Sequence, residues 1–135
     1  MNVRYEGFFL YDTELESELN KDIEFKHVTT EYKPARTHEH LYGKEVTMYI
    51  TGYGNDGKNE GVSVKLGNFV ADEELETLFN QIPKPHITLS VSNEGKPVDT
   101  ANLIFEHKKL DKFPKVLILK FGGFIGKPIF SINND

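Results

Sequence analysis

The 135-residue chain contains no cysteine. Disulfides, thiolate chemistry and cysteine ligation of a metal are therefore excluded. Long apolar runs are also missing. No stretch approaches the roughly 20 apolar residues that a membrane-spanning helix needs, and Met1–Glu6 lacks the apolar character of a signal peptide. A cytoplasmic protein with no membrane partner is expected. Positive charge is in short supply: 16 Lys and Arg face 21 Asp and Glu, for a net charge of −5. Long nucleic acids are held by basic surfaces that release counterions, so no long duplex partner is expected. A small nucleotide or an RNA end needs only a local site and is compatible with this balance.

What is present is aromatic: 10 Phe and 6 Tyr, with 27% charged residues. This is the composition of a folded chain, and its length predicts one domain over residues 1–135, here read as a monomer. Tyr5 to Tyr11 reads as a buried strand. Leu15, Leu19 and Ile23 recur every four residues and predict a helix capped by Asp12 or Thr13. Phe25 to Tyr32 reads as a strand ended by Pro34, and residues 35–44 as a polar loop. Glu45 to Tyr53 and Glu60 to Leu66 alternate as a hairpin around Gly54-Asn55-Asp56-Gly57. Asp72 to Ile82 carries Leu75, Leu78, Phe79 and Ile82 on one helical side. Pro83-Lys84-Pro85 stops it and delivers the chain, extended, to a strand from His86 to Ser92. Ala101 to Phe105 and Lys115 to Phe121 read as further strands, with a last apolar stretch near Ile129 and Phe130. The order predicts an α+β fold of mainly antiparallel strands in two similar halves.

Each half carries one copy of a short pattern: His27-Val28-Thr29 and His86-Ile87-Thr88. In a strand, the His and Thr share a face and the β-branched residue points to the other. Side by side, two such strands line one groove with two imidazoles and two hydroxyls. A single strand histidine is ordinarily a packed, hydrogen-bonded residue. An amphipathic strand has no packing need for His and Thr on one face twice.

These motifs resemble the signature of the two-histidine (2H) phosphoesterase superfamily, which pairs two His-x-Thr/Ser motifs on central strands. The likeness is greatest to its 2′,3′-cyclic-nucleotide 3′-phosphodiesterase catalytic domains. It extends to Tyr5-Glu6-Gly7-Phe8-Phe9-Leu10, to His27-Val28-Thr29-Thr30-Glu31-Tyr32, to His86-Ile87-Thr88-Leu89 and to Gly126-Lys127-Pro128. The chain is shorter, and its 35–44 and 67–82 loops differ. The resemblance implies a bilobal fold in which two mainly antiparallel sheets form a central groove, with helices packed outside.

The chemistry these residues suit is hydrolysis of a phosphodiester. One imidazole takes the proton of an attacking water while the other protonates the leaving ribose oxygen. Thr29 and Thr88 hydroxyls supply donors for the charge that builds on the phosphoryl oxygens. The scheme needs no metal and no cofactor. The resemblance gives His86 as base and His27 as acid, and it places an aromatic ring where Tyr32 stands to stack on the base. Tyr11, otherwise a core residue, and Pro85 are further substrate-contact candidates. Lys33, Arg36, Lys84 and Lys96 flank the motifs and are candidates to draw in a phosphate, against the plainer reading as surface charges. His38-Glu39-His40 invites a metal reading, but without a third ligand nearby it is read as a solvated loop at the groove mouth. His107 is read as a surface residue. The expected activity is a metal-independent phosphodiesterase acting on 2′,3′-cyclic phosphates of nucleotides or RNA ends. The same machinery would also suit cyclic oligonucleotide or 2′,5′-oligoadenylate signals, as in a phage or viral anti-defence enzyme. A non-catalytic nucleotide- or RNA-binding module is the alternative from another class.

Overall fold

In the computed structural model, which describes residues 2–11, 13–67, 72–108 and 110–131, alternation of apolar and polar side chains builds an α+β fold dominated by antiparallel strands. The elements are β1 (Tyr5–Leu10), β2 (Lys21–Asp22), β3 (His27–Tyr32), β4 (Glu45–Asn55), β5 (Asn59–Leu66), α1 (Glu73–Asn80), β6 (His86–Val91), β7 (Leu117–Phe124) and β8 (Pro128–Ile129). The eight strands form one hydrogen-bonded sheet in the order β2-β6-β5-β4-β7-β1-β3, with β8 on β7. The ladder is continuous where the family resemblance implies two sheets. β6 lies near one end of it and β3 at the other. Even so, β3 and β6 approach to within 8 Å between Cα atoms. The sheet therefore curls until the two motif strands meet.

One face of the curl holds the core. Phe8, Val28, Val62, Ile87, Leu89, Leu117, Leu119 and Phe121 are all buried there. The helix α1 packs on this side through Leu75 and Phe79, and the Phe79 ring meets Phe8 edge-on at 6.2 Å. Asp72 caps α1 by accepting from the Glu74 and Leu75 backbone N–H groups at 2.9 and 3.3 Å. Glu73, Glu74 and Glu76 then suit the positive end of the helix dipole. The β4–β5 hairpin turns where the Asp56 carboxylate accepts from the Lys58 and Asn59 N–H groups. Gly57 sits there at φ 84°, a conformation glycine adopts without penalty. Among the described residues no helix is long and apolar enough to cross a membrane.

Two expected elements do not form. Residues 13–20 are not a helix; they run as an irregular strap into β2. The strap's backbone donors are taken by distant acceptors: Glu18 N–H by the Glu60 carboxylate at 2.9 Å, and Leu19 N–H by Ser90 Oγ at 3.2 Å. Ile23 N–H donates to Leu89 O at 3.0 Å. Of the supposed apolar stripe only Leu15 reaches the core. Helix propensity is a weak prior, and tertiary partners override it here. The proposed cap Asp12 lies outside the described residues. Ala101 to Phe105 is likewise not a strand. Pro97–Asn102 winds as a 3-10 turn, held by the Asn59 amide donating to Lys96 O and Thr100 Oγ1 at 2.6 and 3.0 Å. Ile104 is left 82% exposed. Next to it an isolated bridge joins Glu106 to Tyr53 of β4.

Candidate active site

The strand periodicity that buries Val28 and Ile87 turns His27, Thr29, His86 and Thr88 to the other face. All four line one cavity of about 790 Å³, together with Tyr5, Phe25 and Phe124 and with Pro97, Val98 and Ala101. The lining is mostly apolar, and among the described residues Glu24 is the one Asp, Glu, Lys or Arg that lines it.

The two histidines are held in the same way. His27 Nδ1 lies 2.8 Å from Phe25 O, and His86 Nδ1 lies 2.7 Å from Lys84 O, in each case the carbonyl two residues upstream. A carbonyl only accepts, so Nδ1 carries the hydrogen in both rings. Each neutral imidazole then keeps its basic lone pair on Nε2. Aromatic rings brace both: Tyr5 stacks on His27 at 4.6 Å and Phe9 flanks it at 5.3 Å, while Phe105 stacks on His86 at 6.4 Å. Burial of the imidazole, with His86 facing it, holds His27 below the usual histidine range, against the opposing pull of its bond to Phe25. Burial also raises the Tyr5 hydroxyl to about 12, so it stays protonated beside the site at neutral pH. Thr88 Oγ1 donates only a long bond, 3.4 Å, to Pro97 O. The Thr29 hydroxyl makes none among the described residues.

The His27 environment has a consequence for folding. An unfolded histidine titrates at about 6.5, and the folded ring does so lower. The unfolded chain therefore binds this proton first as pH falls. His27 contributes its full stability above about pH 6.5 and loses it as pH drops through the window down to the folded value. Replacing His27 by Gln is expected to flatten that part of the pH dependence. Urea unfolding between about pH 5 and 7.5 checks this, and an unchanged slope would refute it.

A repeat that the motifs alone do not reveal underlies this symmetry. Gly7 pairs with Thr29 and Gly61 with Thr88, and each follows a register shift, at Glu6/Gly7 and at Glu60/Gly61. A Cβ on either glycine would strike the carbonyl oxygen of the middle motif residue, Val28 or Ile87. Both glutamates are fully buried. Glu6 accepts from His38 N–H at 2.7 Å, His38 Nδ1 at 2.8 Å and the Tyr42 hydroxyl at 2.9 Å. Glu60 accepts from Glu18 N–H, from Ser90 Oγ at 2.6 Å and from the Tyr53 hydroxyl in a short bond. Burial and these carboxylates push both tyrosine hydroxyls above their ordinary range. The sequence signal was available as a Glu-Gly dipeptide on the strand beside each motif.

The remaining sequence candidates scatter. Tyr32 lines the cavity at its rim, 67% exposed, with Lys33 Nζ 5.7 Å from its ring. Tyr11 is neither core nor part of this cavity. It is 42% exposed, lies under Lys120 Nζ at 3.9 Å, and lines a neighbouring cavity with Phe9 and Phe130. Pro85 also misses the motif cavity and lines another one, on the far side of Ala101. Of Lys33, Arg36, Lys84 and Lys96, none lines the motif cavity. His38 is not a solvated loop residue: Glu6 holds it, and the adjoining 3-10 turn Glu39–Leu41 buries Leu41. His40 pairs at the surface with Glu74 at 2.9 Å. His107 is exposed, as expected. No protein-family model matches the sequence, and no curated protein matches it.

Proposed function

We propose that this protein is a phosphodiesterase that opens 2′,3′-cyclic phosphates of nucleotides or RNA ends by acid–base catalysis between His27 and His86, with no metal required. The observation that carries this reading is the convergence of two imidazoles in one cavity. Each has Nδ1 tied to a carbonyl and Nε2 left for proton transfer. The likeness of the motifs to 2H phosphoesterases supports it. On this reading the two ends of the curled sheet serve as the two lobes of that family, and the cavity between them as its groove.

The burial of His27 bears on the roles. Its neutral form is favoured, which suits a base, whereas the resemblance gives the base to His86. We assign His27 Nε2 to take the proton of the attacking water. His86 Nε2–H then gives its proton to the departing ribose oxygen as the P–O bond breaks. The product is a nucleoside monophosphate, and the two rings exchange their proton through solvent before the next turn. The Thr29 and Thr88 hydroxyls donate to the non-bridging oxygens. No Lys or Arg lines the cavity, so on this reading the His86 imidazolium is the cationic group that meets the cyclic phosphate. The base of the nucleotide stacks at the Tyr32 rim, an interaction worth about 1–3 kcal/mol where it occurs.

Incubated in EDTA with 2′,3′-cyclic mononucleotides, the protein is expected to release 2′- or 3′-monophosphates. The pH–rate profile should be bell-shaped, with its acidic limb below the usual imidazole range. Activity that EDTA abolishes and a divalent metal restores would overturn the proposal. A substrate longer than a mononucleotide, such as a cyclic oligonucleotide or 2′,5′-oligoadenylate, is favoured by one further feature beside His86.

A further inference from the structure

We infer that a second phosphate-binding subsite adjoins the catalytic cavity on the His86 side and takes the phosphate 5′ to the reacting nucleoside. The inference rests on the reading of the paired histidines as a phosphodiester site. A separate cavity of about 390 Å³ lies there, and Ala101 lines both it and the motif cavity. Phe105, which stacks on His86, forms part of its wall.

The two cavities differ in their charged residues. The motif cavity has no Lys or Arg, whereas the smaller one presents Lys65 and Lys84. Among the described residues neither ammonium group meets a carboxylate, in contrast to Lys26, Lys44 and Lys112, which do. A hydroxyl pair, Thr51 Oγ1 and Ser63 Oγ, 2.9 Å apart, lines the same cavity. Such a pair shares one hydrogen between its oxygens and leaves the other to donate outward.

The strands place these groups together. Ser63 pairs directly with His86 across β5 and β6, so both point to the same face. Lys65 lies two residues along β5 and shares that face. Lys84 stands two residues before His86, in the segment whose carbonyl fixes the imidazole. Gly52 keeps the arrangement open, because a Cβ there would lie 2.7 Å from Ser63 Oγ and 2.9 Å from Phe105 Cβ. Two ammonium groups and two hydroxyls beside a cavity whose one cationic group is an imidazolium match a substrate with one phosphate at the histidines and another one nucleotide position away. Charge-assisted bonds of this kind are the strong class of hydrogen bond.

Two probes that differ by one phosphate test this: adenosine 2′,3′-cyclic phosphate, and the same compound carrying a 5′-phosphate. Binding is measured by calorimetry in a His27→Ala background, so that turnover does not intrude. The 5′-phosphate is expected to tighten binding about tenfold, and the Lys65→Gln/Lys84→Gln pair is expected to reduce that ratio to near one. High salt should compress the ratio in the same direction. Equal affinities for the two probes, or a ratio untouched by the double substitution, would overturn the subsite. The measurement reads binding alone. A protein that binds with the expected ratio but never turns over would leave the subsite standing and remove the proposed activity.

Discussion

Replacing His86 with alanine is expected to lower kcat/KM on 2′,3′-cyclic nucleotides by about 10²–10⁴-fold, the usual worth of a positioned acid or base. Replacing His27 should cost a similar amount, and the double variant little more than either alone, because the two rings act on one transition state. The fold should tolerate the change at position 86. That ring is partly exposed, it makes one hydrogen bond to Lys84 O, and its neighbour Ile87 supplies the buried contact. Nucleotide binding should survive in both variants, since the cavity walls of Tyr5, Tyr32, Phe124 and Val98 are untouched. The decisive measurement is kcat/KM beside ligand affinity and unfolding midpoint for each variant. If both single variants kept the parent rate on every substrate tested, the enzyme reading would fall, and a nucleotide-binding module would be the better description.

The largest stability effect is expected at Glu60. Its carboxylate is wholly buried and accepts from the Glu18 N–H, the Ser90 hydroxyl and the Tyr53 hydroxyl. Truncation to alanine leaves these donors without their acceptor. At about 1–3 kcal/mol for each buried group left unsatisfied, and with water entering to recover part of it, the net loss should be about 3 kcal/mol. For a domain of this size that lowers Tm by about 10 °C. The Glu60→Gln variant keeps an amide oxygen for Ser90 and Glu18 and can turn its NH₂ to the Tyr53 oxygen, so it should lose less than half as much. Glu60 also ties the 13–20 strap to β5, so Glu60→Ala should raise proteolytic cutting within the strap before global unfolding. Thermal unfolding of the two variants checks the ranking. An alanine variant as stable as the parent would show that the buried carboxylate is not what anchors the strap.

Local pattern carried a definite part of this structure. Alternation in Glu45 to Ile50 and in Val62 to Leu66 yields the paired strands of the β4–β5 hairpin, because a strand with one buried face must read that way. Asp72 and the apolar spacing after it yield α1. The same period-two rule puts His27 with Thr29, and His86 with Thr88, opposite buried Val28 and Ile87. Those facts need only residues close in sequence.

Other features were decided across the fold. The Leu15, Leu19, Ile23 spacing reads as helical, yet the acceptors of that segment's N–H groups sit on Glu60, Ser90 and Leu89, far along the chain. The meeting of β3 with β6 depends on how far a long sheet curls, which no single strand encodes. Tyr32, Tyr11 and Pro85 look alike as neighbours of the motifs, but the curl sends them to three different cavities. The two buried glutamates complete the contrast: only the tertiary structure brings each its three donors. By itself the sequence determined which side chains share a face. Which faces meet was set by burial and by hydrogen-bond partners remote in the chain, because those energies exist only once the chain has closed on itself.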